Sequence, residues 1–477
     1  MYLINMSRLY VFAIGGSGSR VLRSLTMLLS NGICCGSDIV PMIIDPDYSN
    51  GDLVRTVDLL RLYEQIHLSL SFSNTTSNKF FSTRVSAFDD GDYLLPLVGT
   101  SGVTFENYIE LNTMSKENQA LMKMLFSNAN LSSDMNVGFK GNPNIGSVVL
   151  NQFTQSNVFK SFETNFVEGD KIFIVSSIFG GTGASGFPLL LKNLRTSSNS
   201  ALAQAPIGAV SLLPYFNLKV SEDSSIKADS FITKTKAALN YYEKNVTGNN
   251  TLNDMYYLGD DFSSEGYDNF DGGCEQQNKA HLIELLAALS IIDFSTKQVS
   301  IPIRTAFHEF GLEKDAAQTV TFNDFGYATK DILLGKMAQF ALLSSYLNNR
   351  SVDHRTSQKW AKERNQILGE SFFSSQFYRL FDTFKTQYNL WLSELKTNHI
   401  AFNPFHDDNS ITDVLEKIDG YKPKYGINPF AKKSYDLIDE QLSKKISNIQ
   451  KNLDAPQTFM ELFYLTTEEI CKKNLKL

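Results

Sequence analysis

The run Phe179-Gly180-Gly181-Thr182-Gly183-Ala184-Ser185-Gly186 has the residue types of a loop that holds an oxyanion. Glycines let backbone N–H groups approach an anion closely and turn toward it. Thr182 and Ser185 add hydroxyls that can bond phosphate oxygens. The apolar run Lys171-Ile172-Phe173-Ile174-Val175-Ser176-Ser177 before the glycines reads as a buried strand. The stretch Phe187-Pro188-Leu189-Leu190-Leu191 after them reads as the opening of a helix, whose positive dipole end would face the same anion. Strand, glycine loop and helix together make a phosphate cradle.

A second glycine loop, Gly15-Gly16-Ser17-Gly18, lies near the N-terminus. It follows the buried strand Leu9–Ile14 and precedes a helix over about Arg20–Leu29. A second strand, Ile39–Ile44, ends at Asp45-Pro46-Asp47. This opening is βαβ and implies a parallel sheet with helices on its faces. Taken alone, the loop suggests a dinucleotide site in which Asp45 holds a ribose. The third glycine of that fingerprint is missing, because Val21 stands in its place. Asp45 and Asp47 also fit as plain turn residues. A third loop, Gly138-Phe139-Lys140-Gly141-Asn142-Pro143-Asn144-Ile145-Gly146, precedes the opening motif; Lys140 either adds a positive charge there or is an ordinary loop lysine.

Read in order, Gly15–Gly18, Gly141–Gly146 and Gly180–Gly186 resemble the first, third and fourth nucleotide loops of the tubulin/FtsZ superfamily. Leu213-Pro214-Tyr215-Phe216-Asn217 resembles its fifth loop, and Asp45-Pro46-Asp47 stands at its second. The resemblance implies an α/β, Rossmann-like GTPase domain with a parallel sheet and a central helix, and it implies GTP and Mg²⁺ as cofactors. Gly15, Gly16, Ser17 and Gly18 would meet the α/β-phosphates. Gly141, Asn142, Gly180, Gly181, Thr182, Gly183 and Ala184 would surround the β/γ-phosphates. Asp45 would lie near the metal, Pro214 near the ribose, and Asn278, opening the central helix, would read the guanine edge; a helix cap is the plain alternative for Asn278. In this superfamily an acidic loop of one subunit completes the site of the next. Ile292-Asp293-Phe294 and Phe322-Asn323-Asp324-Phe325 are fragments of such a loop, but neither has its full pattern, and no catalytic residue is assigned.

The elements that must position these loops follow from the rest of the chain. The nucleotide-binding domain is expected over 8–294, with an insertion at about 50–135 carrying some helix of its own. Within it, strands are expected at Ile207–Leu213 and Met255–Gly259, and an apolar central helix at about 278–294. One more strand is expected at Gln298–Ile303. A largely helical C-terminal domain, 295–477, is expected from amphipathic patterns at about 329–349, 356–398, 433–453 and 457–474.

The chain has 477 residues and a net charge of −7, which argues against a nucleic-acid-binding face. The lysine pairs Lys432-Lys433, Lys444-Lys445 and Lys472-Lys473 read as solvated helix faces. Cys34, Cys35, Cys274 and Cys471 lack zinc-ligand spacing, and the six histidines are scattered. The cysteines read as reduced thiols, so a cytoplasmic protein is expected; no stretch has the length of a transmembrane helix, and the N-terminus has no signal-peptide layout. The function these readings favour is a GTP-binding, self-associating, tubulin-like scaffold that hydrolyses GTP slowly at a subunit interface, with an unknown protein partner for its C-terminal helices. The alternatives are a non-polymerising nucleotide-dependent interaction protein and a dinucleotide-dependent Rossmann enzyme.

Overall fold

The computed structural model describes residues 7–73, 75–88, 92–97, 99–100, 102–137, 139, 141–217, 219, 229–260, 273–298, 304–310, 319–398, 400–406, 411–425 and 431–477. Its centre is a sheet of six parallel strands: β1 Arg8–Ile14, β2 Asp38–Ile44, β3 Lys171–Ser177, β4 Ile207–Leu212, β5 Asp254–Leu258 and β6 Ala306–Phe310. The spatial order is β2-β1-β3-β4-β5-β6. Residues Leu9–Ile14 are all buried, as a parallel strand covered on both faces requires. The strand expected at Gln298–Ile303 lies, from Val299 onward, outside the described residues.

Parity along the strands separates the two faces. Val11 and Phe173 are register partners, and Phe173 packs on Phe294 of the long apolar helix. Gly208, the next partner, has no room for a side chain, because a Cβ would stand 2.7 Å from the Phe294 ring. Tyr10 and Phe12 point the other way and pack on Phe162. Helices α1 (Gly15–Ser30) and α2 (Gly51–Leu70) accompany the apolar helix on the first face. The helices that precede that one in the chain include α3 (Pro143–Val149), α4 (Gly181–Arg195) and α5 (Asp229–Tyr242). Of these, α4 lies on the Tyr10/Phe12 face, where Gly186 closes on Ile14. Helix α2 falls within the stretch read as an insertion; it runs for 20 residues and packs along α1.

The apolar helix, α6, spans Leu282–Thr296 and is capped by His281 and Glu284 in a capping box. It therefore starts later than the sequence pattern suggested, and Asn278 lies outside it. Beyond β6 the described chain is helical: α7 (Tyr327–Asn349), α8 (Gln376–Lys396), α9 (Ser434–Lys445) and α10 (Ala455–Ile470) are its main helices. The fold class is thus α/β with a helical C-terminal region. Among the described residues no helix is long and apolar enough to cross a membrane.

Candidate functional site

The chain leaves β1 toward β2 on one side and builds β3 on the other side of β1. Such a reversal opens a crevice at the carboxyl ends of β1 and β3, where ligands of open α/β sheets bind. Both glycine loops sit there. Gly15 opens α1 directly after β1, and Gly180 caps α4 a few residues after β3. They touch: a Cβ on Gly15 would stand 3.4 Å from the Thr182 Cβ. Gly15 also has φ +74°, a left-handed conformation that favours glycine. The third loop closes from the side, because a Cβ on Gly181 would stand 3.0 Å from the Asn142 amide nitrogen. The structure thus brings Gly15–Gly18, Gly141–Asn142 and Gly180–Ala184 to one place.

The helix ends there have no side-chain caps. Neither Ile14 before α1 nor Gly180 before α4 caps its helix with a side chain. Asn50, by contrast, accepts hydrogen bonds from Asp52 and Leu53 at the start of α2. First-turn N–H groups without a capping acceptor, together with the aligned helix dipoles, favour an anion. Gly16 faces open space, with no heavy atom within 4 Å of where a Cβ would stand. Gly18 and Gly183 do a different job: their Cβ atoms would stand 2.7 Å from the Ala13 backbone and 2.6 Å from the Ser177 carbonyl oxygen. They let the two helices start hard against their strands.

Of the two hydroxyls expected to face phosphate, only Thr182 remains without a hydrogen bond to another described residue. Ser185 Oγ donates to the Gly181 carbonyl at 2.6 Å and is spent inside its own helix. A cation that the sequence did not point to is present: Lys234 Nζ of α5 donates to the Gly141 carbonyl at 2.7 Å, and burial lowers its pKa. Lys140 lies outside the described residues. Lys234 sits 93 residues from Gly141, so local spacing carried no sign of it.

Asp45 and Asp47 follow β2. Asp47 is consumed by the loop, accepting from Ser49 and, at 2.6 Å, from the Gly273 N–H. Asp45 is buried and, among the described residues, accepts only the Asp47 N–H, at 3.0 Å. Burial, with Asp47 and Asp52 nearby, pushes its pKa up to about 7. The described residues include no group of three metal-ligating side chains. Magnesium at a phosphate site needs only one or two carboxylates beside the phosphates and water, and Asp45 fits that modest demand.

Behind Ser17 lies a buried ion cluster. Arg20 Nε donates to Glu284 Oε1 at 2.5 Å, Nη1 to Asp52 Oδ2 at 3.1 Å and Nη2 to the Tyr215 hydroxyl at 2.6 Å. Tyr215 donates in turn to Glu284 at 2.9 Å. Three charged groups so deeply buried require this mutual pairing. Asn278 belongs to the same cluster: its N–H and side-chain amide donate to Asp52 at 3.1 and 3.3 Å. The amide expected to read a base edge is turned toward that carboxylate. Pro214 accepts the Asp260 N–H at 3.3 Å, and its neighbours Tyr215 and Phe216 pack edge to face at 4.9 Å.

The two acidic residues considered for catalysis are placed elsewhere. Asp293 lies in the last turn of α6 and accepts from Tyr256 at 2.5 Å and Lys297 at 2.8 Å. Those partners sit with Asp254, at the start of β5, so this cluster is at the sheet end opposite the glycine loops. Asp324 folds back on Thr321 as the second half of a capping box.

No protein-family model matches this sequence, and neither does any curated protein. Among solved structures, the chain is similar to the GTPγS-bound protofilament of CetZ2 from Haloferax volcanii, at 13% identity and TM-score 0.29. That match covers 60% of this chain and 58% of the other. The GDP-bound monomer of CetZ1 from the same organism matches at 13% identity and TM-score 0.32, over 61% and 62%. A GTPγS-form protofilament of TubZ from Bacillus thuringiensis serovar israelensis matches at 12% identity and TM-score 0.25, over 80% and 81%.

Proposed function

We propose that this chain is a tubulin-like GTP-binding protein whose phosphate site is the crevice between β1 and β3. The observation that carries this reading is the meeting of two glycine loops, each opening a helix without a side-chain cap, at the point where the strand order reverses. N–H groups of Gly16, Ser17 and the first turn of α4 would bind the phosphates, with the Thr182 hydroxyl as a further donor. Lys234 would offset part of the phosphate charge from behind Gly141. Asp45 would hold Mg²⁺, which neutralises phosphate charge when bound. The identity of the base as guanine rests on the sequence resemblance alone, and self-association into filaments and slow hydrolysis at a subunit interface belong to the same proposal. A dinucleotide enzyme is disfavoured because a simple dehydrogenase has no need of the second glycine loop, Gly180–Gly186, after β3.

Thermal-shift measurements with GTP, ATP and NAD, each with and without Mg²⁺, test the proposal. GTP should raise the melting temperature, and the combined change Gly181→Ala and Thr182→Ala should abolish that rise. A rise with NAD alone, or GTP binding that survives the double change, overturns it.

A further inference from the structure

Apart from the glycine loops, a cavity of about 400 Å³ opens between α7, α8 and residues 403–406 and 414–418. That is the size of a small-molecule site. Its floor is apolar: Leu342, Tyr388, Leu392 and Phe405 line it. Its rim is rich in carboxamides and cations, and among its described lining residues there is no carboxylate. The donors can be assigned. Asn348 Oδ1 accepts from Lys385 Nζ at 2.8 Å, and an ammonium only donates, so the free end of that amide is its NH₂. Asn389 accepts from Ser344 Oγ at 3.0 Å, which likewise leaves its NH₂. Lys417, half-buried on the rim, makes no ion pair among the described residues.

We infer that this cavity binds a small molecule with an apolar body and one carboxylate head. The body would lie on Tyr388, Leu392 and Phe405, and the head would take the Lys417 ammonium and the amide donors of Asn348 and Asn389. A charge-assisted bond to a partly desolvated lysine is the stronger kind, and an apolar floor without a head group nearby would not need so many donors. This site shares no residue with the phosphate crevice, so its fate is separate from the reading above.

The test is calorimetric titration of the full chain with 4-phenylbutyrate and with its neutral amide, 4-phenylbutanamide. The carboxylate should bind saturably, and at least fivefold more tightly than the amide. Lys417→Ala should weaken carboxylate binding about tenfold and leave the amide unchanged. Ser393→Trp, an exposed lining position whose enlargement closes the mouth without touching the core, should abolish both. Circular dichroism melts of both variants show that they are folded. Absence of saturable binding, equal binding of acid and amide, or binding that ignores both substitutions each overturns the inference.

Discussion

Asp45 is the residue whose ionisation the fold itself opposes. Its carboxyl is buried beside Asp47 and Asp52, and its pKa stands at about 7 against an ordinary value of 3.8. A pKa raised on folding means that the native state holds a proton the unfolded chain has released. Stability from this group is therefore complete below about pH 3.8 and is lost as pH climbs to about 7. Asparagine keeps the acceptor for the Asp47 N–H and removes the charge. Asp45→Asn should then gain on the wild type by about 2–3 kcal/mol between pH 5 and pH 8, from the shift and about 1.4 kcal/mol per pH unit. Urea unfolding of both proteins without nucleotide or metal measures this difference, in which other titrating groups cancel. A gap that stays constant with pH would show that Asp45 is ionised in the free protein.

Where each glycine loop becomes a helix, two kinds of glycine are mixed, and substitution should separate them. Gly16 faces open space, whereas Gly183 lies against the backbone of Ser177. Gly16→Ala should leave stability within about 0.5 kcal/mol and weaken nucleotide binding, since its methyl would enter the crevice. Gly183→Ala should cost about 1–3 kcal/mol through overpacking, because α4 cannot start without shifting off β3. Urea unfolding and a nucleotide thermal shift on each variant check both halves; a neutral Gly183→Ala would refute the packing role. These loops, and the all-buried strand before each, were legible because their signals are local: a short apolar run, then glycines. Elements with weaker local signals were not. Ala306-Phe307-His308-Glu309-Phe310 is an edge strand too short and too polar to stand out, and it is held by Asp254 to His308 at 2.6 Å. The Arg20 cluster was half legible. Glu284 is conspicuous inside an apolar helix, but its partner is 264 residues away, and nothing in one sequence pairs them. Thr182 and Ser185 looked alike in sequence; helix geometry, which brings Ser185 over the Gly181 carbonyl, separates them.

Across the whole molecule, the C-terminal helices are bound to the glycine-loop helix through Glu394 of α8. Its carboxylate accepts from Arg23 of α1 at 2.6 Å, from Arg55 of α2 at 3.4 Å and from the Ala280 N–H at 2.8 Å. One turn away, Trp391 is fully buried and donates to Ser24 of α1 at 3.2 Å. The sequence suggested two domains, split near residue 295; from these contacts we propose that the two halves unfold as one unit. Both tryptophans, Trp360 and Trp391, lie in the C-terminal half, so their fluorescence reports that half while far-ultraviolet circular dichroism reports the whole. In urea the two signals should fall together for the wild type, as expected for one cooperative unit. Glu394→Ala leaves Arg23 buried without its carboxylate, a loss of about 3–5 kcal/mol for a buried pair. The variant should therefore unfold earlier, and its fluorescence should change before its circular dichroism as α8 leaves α1. Coincident, unshifted transitions in Glu394→Ala would mean that packing around Trp391, rather than the ion cluster, holds the halves together. Separate transitions already present in the wild type would mean that the C-terminal half folds by itself.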